Sequence, residues 1–349
     1  MRKRILLALF TILLLLNGCT NNTATKEIEA SKDFQSSTPL SINGSQIIID
    51  GHYALIDGVN LYDLNNQKLV GSISALTNTN SIGHDIYDGQ ILCSQDNSMF
   101  IYNIENSEKI NIMNNVSNQS SAKMWDNYIV WQENRNIEEY PGVWSLYLYD
   151  LNTKKKHLLT STLAVHATFN ISDYKVVWED ERNFKGDSIL RGGDNVPENN
   201  KDIYLYDIKT GNEISIATGP YMECKPDVYG NYVVWEDRNN GSLDADIVLF
   251  DIQTKKSVYL THDKFNQGFP AIYENYIVWM DERNGIATND VIINGNLPNS
   301  DIYIYDIKTK EESLLTGKEP QILPCIGSDW VGWVTSRQVD PVVEIKKYR

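Results

Sequence analysis

Four charged turns hold the residues with the plainest chemistry. Glu133–Asn136, Asp180–Asn183, Asp237–Asn239 and Asp281–Asn284 each set a carboxylate, then an arginine, then an asparagine, close behind an apolar run that ends in tryptophan. The guanidinium groups of Arg135, Arg182, Arg238 and Arg283 have the planar fork that grips carboxylates with two parallel bonds. The asparagines suit a turn with positive φ. Asp202, Asp246 and Asp301 each precede an isoleucine that opens a β-rich run, where they cap turns or pair with those arginines. Fourfold repetition argues for a structural brace, because a catalytic residue should appear once.

The remaining reactive residues are dispersed. Of the five histidines, His84, His166 and His262 fall where the innermost strand of a repeat would lie, and three imidazoles at one channel mouth would suit a metal. The residues at the position of His84 in the other repeats are Gln46, Ser121, Thr168, Lys225, Phe269 and Leu323, a set unlike metal ligands. Calcium needs six to eight oxygens from a tight acidic loop, and Asp244-Ala-Asp246 is too sparse for one. Ser94–Phe100 has only a loose, single-copy likeness to an Asp-box. Phosphate-loop, nucleophile-elbow, His-Glu-x-x-His and Cys-x-x-Cys patterns are missing from the sequence. No catalytic residue, metal or cofactor is therefore assigned.

The elements that must position these residues repeat. Aligned on the residue ending the apolar run, the marks are Ile56, Ser94, Trp131, Trp178, Trp235, Trp279 and Trp333. A second mark, Tyr-Asp-Leu/Ile or a close variant, falls at Tyr62, Tyr102, Tyr149, Tyr206, Phe250 and Tyr305, and a turn and a short β-rich run follow it. A further run precedes each aligned mark, as in Pro226–Tyr229 and Pro270–Tyr273. Each repeat is thus four short strands, and four-stranded units of roughly 40–50 residues are β-propeller blades. The expected fold is all-β: a seven-bladed propeller of four-stranded antiparallel blades, with a six-bladed ring as the alternative. Residues 323–334 and 341–347 supply only three strands of the last blade. The leftover Thr38–Ile42 then becomes its outer strand and closes the ring. The five Trp in register are expected to pack between blades.

Tyr232-Val-Val-Trp-Glu-Asp-Arg-Asn239 and Asp202-Ile-Tyr-Leu-Tyr-Asp-Ile-Lys-Thr210 resemble the TolB-like propeller repeats of bacterial and archaeal cell-surface proteins. The resemblance covers nearly the whole chain after the N-terminal segment and is strongest over residues 125–316. It implies the propeller fold. For function it implies a range, from periplasmic interaction partners to propeller domains attached to enzymes.

The N-terminus points to export. Arg2, Lys3 and Arg4 precede an apolar run over Ile5–Leu16, then Asn17-Gly18-Cys19. The run is short of the ~20 residues that span a bilayer. Leu-x-Gly-Cys resembles a lipoprotein signal, so residues 1–18 read as a signal peptide and Cys19 as the lipid-bearing residue. Residues 19–37 read as a flexible tether and 38–349 as one propeller domain. The full chain carries 31 Lys+Arg against 46 Asp+Glu, a formal charge of −15. Without the three basic residues at 2–4 this becomes −18, which argues against nucleic acid and against flat docking on anionic lipid. Cys93, Cys224 and Cys325 are too few for a disulfide framework; Cys93 reads as a small buried hydrophobe, and a Cys224–Cys325 pair is geometrically open.

The long repeat spacings come from insertions at 136–144, 184–200 and 285–299, all between second and third strands, and such insertions often mark a binding face. Trp144, outside the tryptophan register, is a candidate for stacking on sugar. Phe184, Ile189, Leu190 and Arg191 are candidate contacts in the longest insertion. The expectation is a lipid-anchored binding or scaffold module facing out of the cytoplasm. Its partner would be an envelope protein or a cell-wall glycan, with membrane contact through the lipid alone. A glycan lyase or hydrolase working at the channel mouth is the competing class.

Overall fold

The computed structural model describes residues 39–114, 116, 119–133, 144–163, 167–183, 201–219, 221–238, 244–285, 300–316, 319–335 and 341–349. They form seven separate four-stranded antiparallel sheets. The outer strand of the seventh comes first in the chain, as β1 (Leu40–Asn43). Blade one is β2 (Ile47–Asp50), β3 (Tyr53–Ile56), β4 (Asn60–Asp63) and β5 (Lys68–Ser72), followed by a single-turn helix α1 (Ile73–Thr77). Blade two is β6 (Ile82–Tyr87), β7 (Gln90–Gln95), β8 (Ser98–Asn103) and β9 (Lys109–Asn114). Blade three is β10 (Gln119–Trp125), β11 (Tyr128–Glu133), β12 (Trp144–Asp150) and β13 (Lys155–Leu163). Blade four is β14 (Phe169–Ser172), β15 (Lys175–Asp180), β16 (Asp202–Asp207) and β17 (Asn212–Ala217). Blade five is β18 (Met222–Tyr229), β19 (Tyr232–Arg238), β20 (Asp246–Asp251) and β21 (Lys256–Tyr259). Blade six is β22 (Gln267–Tyr273), β23 (Tyr276–Asp281), β24 (Asp301–Asp306) and β25 (Glu311–Leu314). Blade seven is β26 (Gln321–Ile326), β27 (Trp330–Thr335) and β28 (Val342–Lys347), completed by β1.

The first strand of each blade lines the axis, and each of these strands touches its neighbours in chain order until β26 meets β2. Closure follows the expected route. β1 pairs antiparallel with β28 from Leu40↔Ile345 to Asn43↔Val342. Leu40 and Ile42 pack with Ile345 and Val343 in a cluster that also takes Ile47, Ile49 and Ile56 of blade one. One short strand thus couples the two ends of the ring by ladder bonds and by apolar burial.

The apolar clusters explain why single blades would not be stable. Each lies between two blades. Val130, Leu146 and Leu148 of blade three meet Phe169, Val176 and Trp178 of blade four. Trp131 packs against Leu92, Met99 and Ile101 of blade two, Trp235 against Val177, Ile203 and Leu205 of blade four, and Trp279 against Val234, Ile247 and Leu249 of blade five. In blades three to six a tryptophan on the second strand therefore fills the gap to the preceding blade. Truncating such a side chain to alanine costs about 3–5 kcal/mol.

Candidate functional site: the inner channel and its rim

The charged turns are built into the blades. In blade four the Trp178 indole donates to Asp180 at 2.9 Å, and Asp180 is fully buried. Arg182 donates to Asp180 and, with its other nitrogen, to Glu213 of the outer strand, both at 2.6 Å, while its guanidinium lies 3.9 Å from the Tyr204 ring centre. Asn183 donates to Asp202 and to the Tyr204 hydroxyl. Blade six repeats the arrangement with Trp279, Asp281, Arg283, Glu312, Asn284, Asp301 and Tyr303. Asp180 pairs across the sheet with Asp202, and Asp281 with Asp301. Like charges directly opposite are unfavourable. Burial holds the Asp202 and Asp301 carboxyls above the usual carboxylate range, and one oxygen of each has no hydrogen-bond partner.

In two other blades a carboxylate likewise accepts from the indole. In blade three Glu133 accepts from the Trp131 indole at 2.9 Å and from Lys156 at 3.2 Å, and Lys156 lies 3.6 Å from the Tyr147 ring centre. Arg135 itself lies outside the described residues. In blade seven Glu344 of the third strand accepts from the Trp333 indole at 2.8 Å.

Blade five corrects the expectation for Arg238. Its turn is one residue shorter, so Arg238 follows Asp237 directly and the period-two alternation of a strand turns it to the other face. Arg238 Nε has no hydrogen-bond partner, and Asp237 accepts from Tyr259 instead. Val248 stands where Tyr204 and Tyr303 stand in blades four and six, and the Trp235 indole N–H is left without an acceptor. Trp144 is also corrected. It opens β12 rather than standing in a loop, it alternates with Leu146 and Leu148 onto the core face, and it is only 8 % exposed. Its ring is not available to a sugar.

The carboxylates of the channel wall have a second structural task. Asp85 accepts from the Met124 N–H of the next blade at 2.9 Å and from Lys123 at 3.3 Å. Three blades further on, Asp227 accepts from the Ile272 N–H of its own next blade at 2.8 Å and from Asn170 of the blade before. Asp50 accepts from the Asp88 N–H at 2.7 Å. Higher in the wall, Glu179 accepts from Lys225 N–H at 2.7 Å and Glu236 from Phe269 N–H at 2.6 Å. Lys225 and Phe269, with Leu323 in blade seven, sit before prolines at φ between 52 and 54° and form bulges. The bulges at Lys225 and Phe269 thus point an N–H at a glutamate of the preceding blade; in blade six Met280 stands at that glutamate's position.

Aligning the inner strands on their turns shows what lines the end of the channel. The last residue before the turn is Asp50, Tyr87, Trp125, Ser172, Tyr229, Tyr273 and Gly327 in blades one to seven. These residues, apart from Gly327, line a cavity of about 630 Å³ with Asp85, Lys123, Asp173 and Asp227. The Tyr87 and Trp125 rings are 6.1 Å apart and the Tyr229 and Tyr273 rings 4.8 Å apart. Tyr174, at φ 60°, meets Trp125 edge-on at 4.6 Å and carries Lys209 over its face at 3.8 Å. Burial raises the Asp50 and Asp227 carboxyls to about 6 against the hydrogen bonds they accept. Sequence reading missed this rim. The signal that would have found it is the recurrent aromatic just before the first turn of a blade.

The other end of the channel holds a second cavity of about 460 Å³, lined by Gln46, His84, Ser94, Asp96 and Ser121 among others. His84 Nε2 and Ser94 Oγ are 2.7 Å apart, and burial, with the Lys123 charge, lowers the imidazole to about 4. His262 is far more open and lies beside Asp246 at 3.6 Å. Among the described residues no three His, Cys, Asp or Glu stand together as a metal-binding group. Cys93, Cys224 and Cys325 are free thiols. His166, Cys19, Phe184, Ile189, Leu190 and Arg191 lie outside the described residues.

In each blade the second-to-third-strand connection is at the end opposite the first turn. The three long connections therefore start and finish at the far end of the ring from the aromatic rim: Glu133 to Trp144, Asp180 to Asp202 and Asp281 to Asp301.

No protein-family model and no curated relative matches the sequence. Solved structures do. An oligogalacturonate lyase from Vibrio parahaemolyticus is 13 % identical, with 89 % of this chain and 92 % of that one covered at a TM-score of 0.58. The acylaminoacyl peptidase of Pyrococcus horikoshii is 10 % identical over 88 % of this chain and 52 % of its own, at 0.60. TolB from Acinetobacter baumannii is 14 % identical over 88 % and 80 %, at 0.45. At such identities the likeness concerns the fold, and the structures similar to this chain include TolB and related β-propellers, as befits a chain that is itself a seven-bladed β-propeller.

Proposed function

We propose that this protein is a binding or scaffold module of the cell envelope, held to the membrane by lipid on Cys19, with its propeller facing out of the cytoplasm. The observation that carries the reading is how the charged groups are used. The repeated Asp and Glu side chains, with Arg182 and Arg283, are absorbed by braces and blade-to-blade bonds, while the cavity at the channel end is rimmed by residues that differ from blade to blade. Repetition serves the scaffold and departure from it serves recognition. The N-terminal basic, apolar and Leu-x-Gly-Cys segments support the anchor, and no described helix is long and apolar enough to cross a membrane. An envelope protein or a cell-wall glycan is the partner class, met through the 136–144, 184–200 and 285–299 connections.

Two measurements test this. Replacing Cys19 by alanine should release the protein from membranes of cells that otherwise retain it; retention of the variant by the membrane contradicts the anchor. Full-length protein should capture a partner from envelope extract, and replacing residues 184–200 by a short turn should abolish capture without lowering the melting temperature. Capture that survives the replacement would sink the assignment of that face.

A further inference from the structure

The aromatic rim has a geometry that neither the envelope reading nor the blade architecture requires. Tyr87 and Trp125 belong to blades two and three, Tyr229 and Tyr273 to blades five and six. In a ring of seven these pairs stand on opposite sides of the axis. The intervening positions carry small side chains or a carboxylate, so the two aromatic walls are separated by open channel. Tyr87, Trp125, Tyr229 and Tyr273 are all only partly buried, unlike the fully packed tryptophans of the second strands.

The charge of the cavity is one-sided. Four carboxylates and one ammonium line it. Asp85 is matched by Lys123, Asp173 by Lys175 at 3.0 Å, and Asp227 by Asn170 and two backbone N–H groups. Asp50 is different. One of its oxygens takes the Asp88 N–H and the other has no donor among the described residues, beside Tyr87 in the ring order. Aromatic faces attract cations within about 6 Å of the ring centre, most strongly where water is thinned out. A carboxylate with a free oxygen next to such faces completes the usual surroundings of an ammonium group. Lys123 shows that the channel already accommodates one, held by Asp85 on the floor below the rim.

We infer that this end of the channel is a binding site for a ligand bearing an ammonium group, received between the two aromatic walls with Asp50 as its counter-ion. Neutral sugars would use the same faces for stacking and could donate hydroxyls to the carboxylates, but only a cation is drawn by their surplus negative charge. The site lies at the opposite end of the ring from the long connections, so it stands or falls independently of the partner face proposed above.

The test uses purified full-length protein and isothermal titration with two probes, tetramethylammonium chloride and Nα-acetyl-lysine amide, with N-acetylglucosamine as the neutral comparator. The two probes separate a free small cation from a lysine side chain presented by a polypeptide. Saturable binding of either, at least tenfold tighter than the sugar, is expected. Asp50→Asn keeps the acceptor for the Asp88 N–H and removes the charge, and should weaken binding about tenfold. Trp125→Leu should weaken it as well, and magnetisation transfer from ring protons to the probe methyls should be lost with it. Two results overturn the inference: no saturable binding of either cation below 10 mM (on the order of the weak end of cation–aromatic pairs), or an affinity untouched by Asp50→Asn in a protein with unchanged melting temperature. Tighter binding of N-acetylglucosamine than of both cations likewise overturns it, in favour of a glycan site.

Discussion

Replacing Arg283 by methionine tests whether the repeated charged turn is a brace or surface decoration. Methionine keeps most of the aliphatic stem and removes the guanidinium, which lies 4.3 Å from the Tyr303 ring centre. Asp281 is fully buried, and Arg283 supplies three of its four donors: the backbone N–H and Nε at 2.9 Å and Nη2 at 2.6 Å. The substitution leaves the Trp279 indole and the backbone N–H, and leaves no cation. Asp301, also buried, faces Asp281 across the sheet. Removing one partner of a buried ion pair costs about 3–5 kcal/mol. The surviving donors place this case toward the lower end, about 3 kcal/mol. An unpaired buried carboxyl takes up a proton, and uptake is easier in acid, so the penalty should shrink between pH 7 and pH 4.5. The assay is urea unfolding at both pH values, with Asp281→Asn and the double variant completing a cycle. A coupling above about 2 kcal/mol is expected. A penalty at pH 7 below about 1 kcal/mol, the size of an exposed pair, or one independent of pH, would refute the reasoning.

Arg238→Met should cost less than about 1 kcal/mol in the same assay, because this arginine holds no carboxylate; a loss equal to that of Arg283→Met would mean the one-residue offset does not matter. Glu223 is raised to about 8 by burial and by the Asp237 charge. The unfolded chain sheds this proton near 4.5 and the folded one near 8, so the group's stabilising contribution is full below about pH 4.5 and lost as pH rises to 8. Glu223→Gln should therefore raise the melting temperature at pH 8 and leave it nearly unchanged at pH 4.5; the reverse order would contradict the burial argument. Leu40→Asp with Ile42→Asp puts two charges into the cluster that closes blade seven on blade one, and should lower stability by several kcal/mol. A urea midpoint within experimental error of the parent would mean that β1 does not close the ring. The His84 imidazole should titrate near 4, so its ring carbon proton should show no shift change between pH 5.5 and 8 in NMR spectra.

The blade count and the closing strand were legible because both depend on period and register. An apolar run ending in one mark, a Tyr-Asp second mark and a leftover Thr38–Ile42 leave few ways to arrange strands, and β1 lies against β28 as that logic requires. Side-chain roles were legible only where every copy obeys the period. Arg238 differs from Arg182 and Arg283 by a single missing residue, and in a strand one residue reverses the face. Trp144 was read as a loop residue because it was counted with the 136–144 insertion, although Pro141-Gly142 signals a turn just before it; its alternation with Leu146 and Leu148 was the better guide. The rim was missed for a different reason. Its members align only after bulges in the inner strands are allowed for, at His84, Lys225, Phe269 and Leu323, and bulges leave no composition signal beyond a proline in three blades.

Symmetry separates the two kinds of position in this ring. A brace must work in each blade on its own, so changes there are compensated locally: Glu344 takes the place of the second-strand carboxylate in blade seven. The position before the first turn has no such constraint, since its side chain meets the channel and not its own sheet. There the seven residues are an acid, four aromatics, a serine and a glycine, and no local compensation explains the set. Packing alone does not require it either. The four residues beneath the aromatics, Ile86, Met124, Val228 and Ile272, are all within 4 % of full burial. The core is closed one residue below the rim; Tyr87, Trp125 and Tyr229 pack along its edge and, like Tyr273, keep part of their surface open to the channel. Their remaining use is toward whatever enters the channel, and the free oxygen of Asp50 says what charge that should carry.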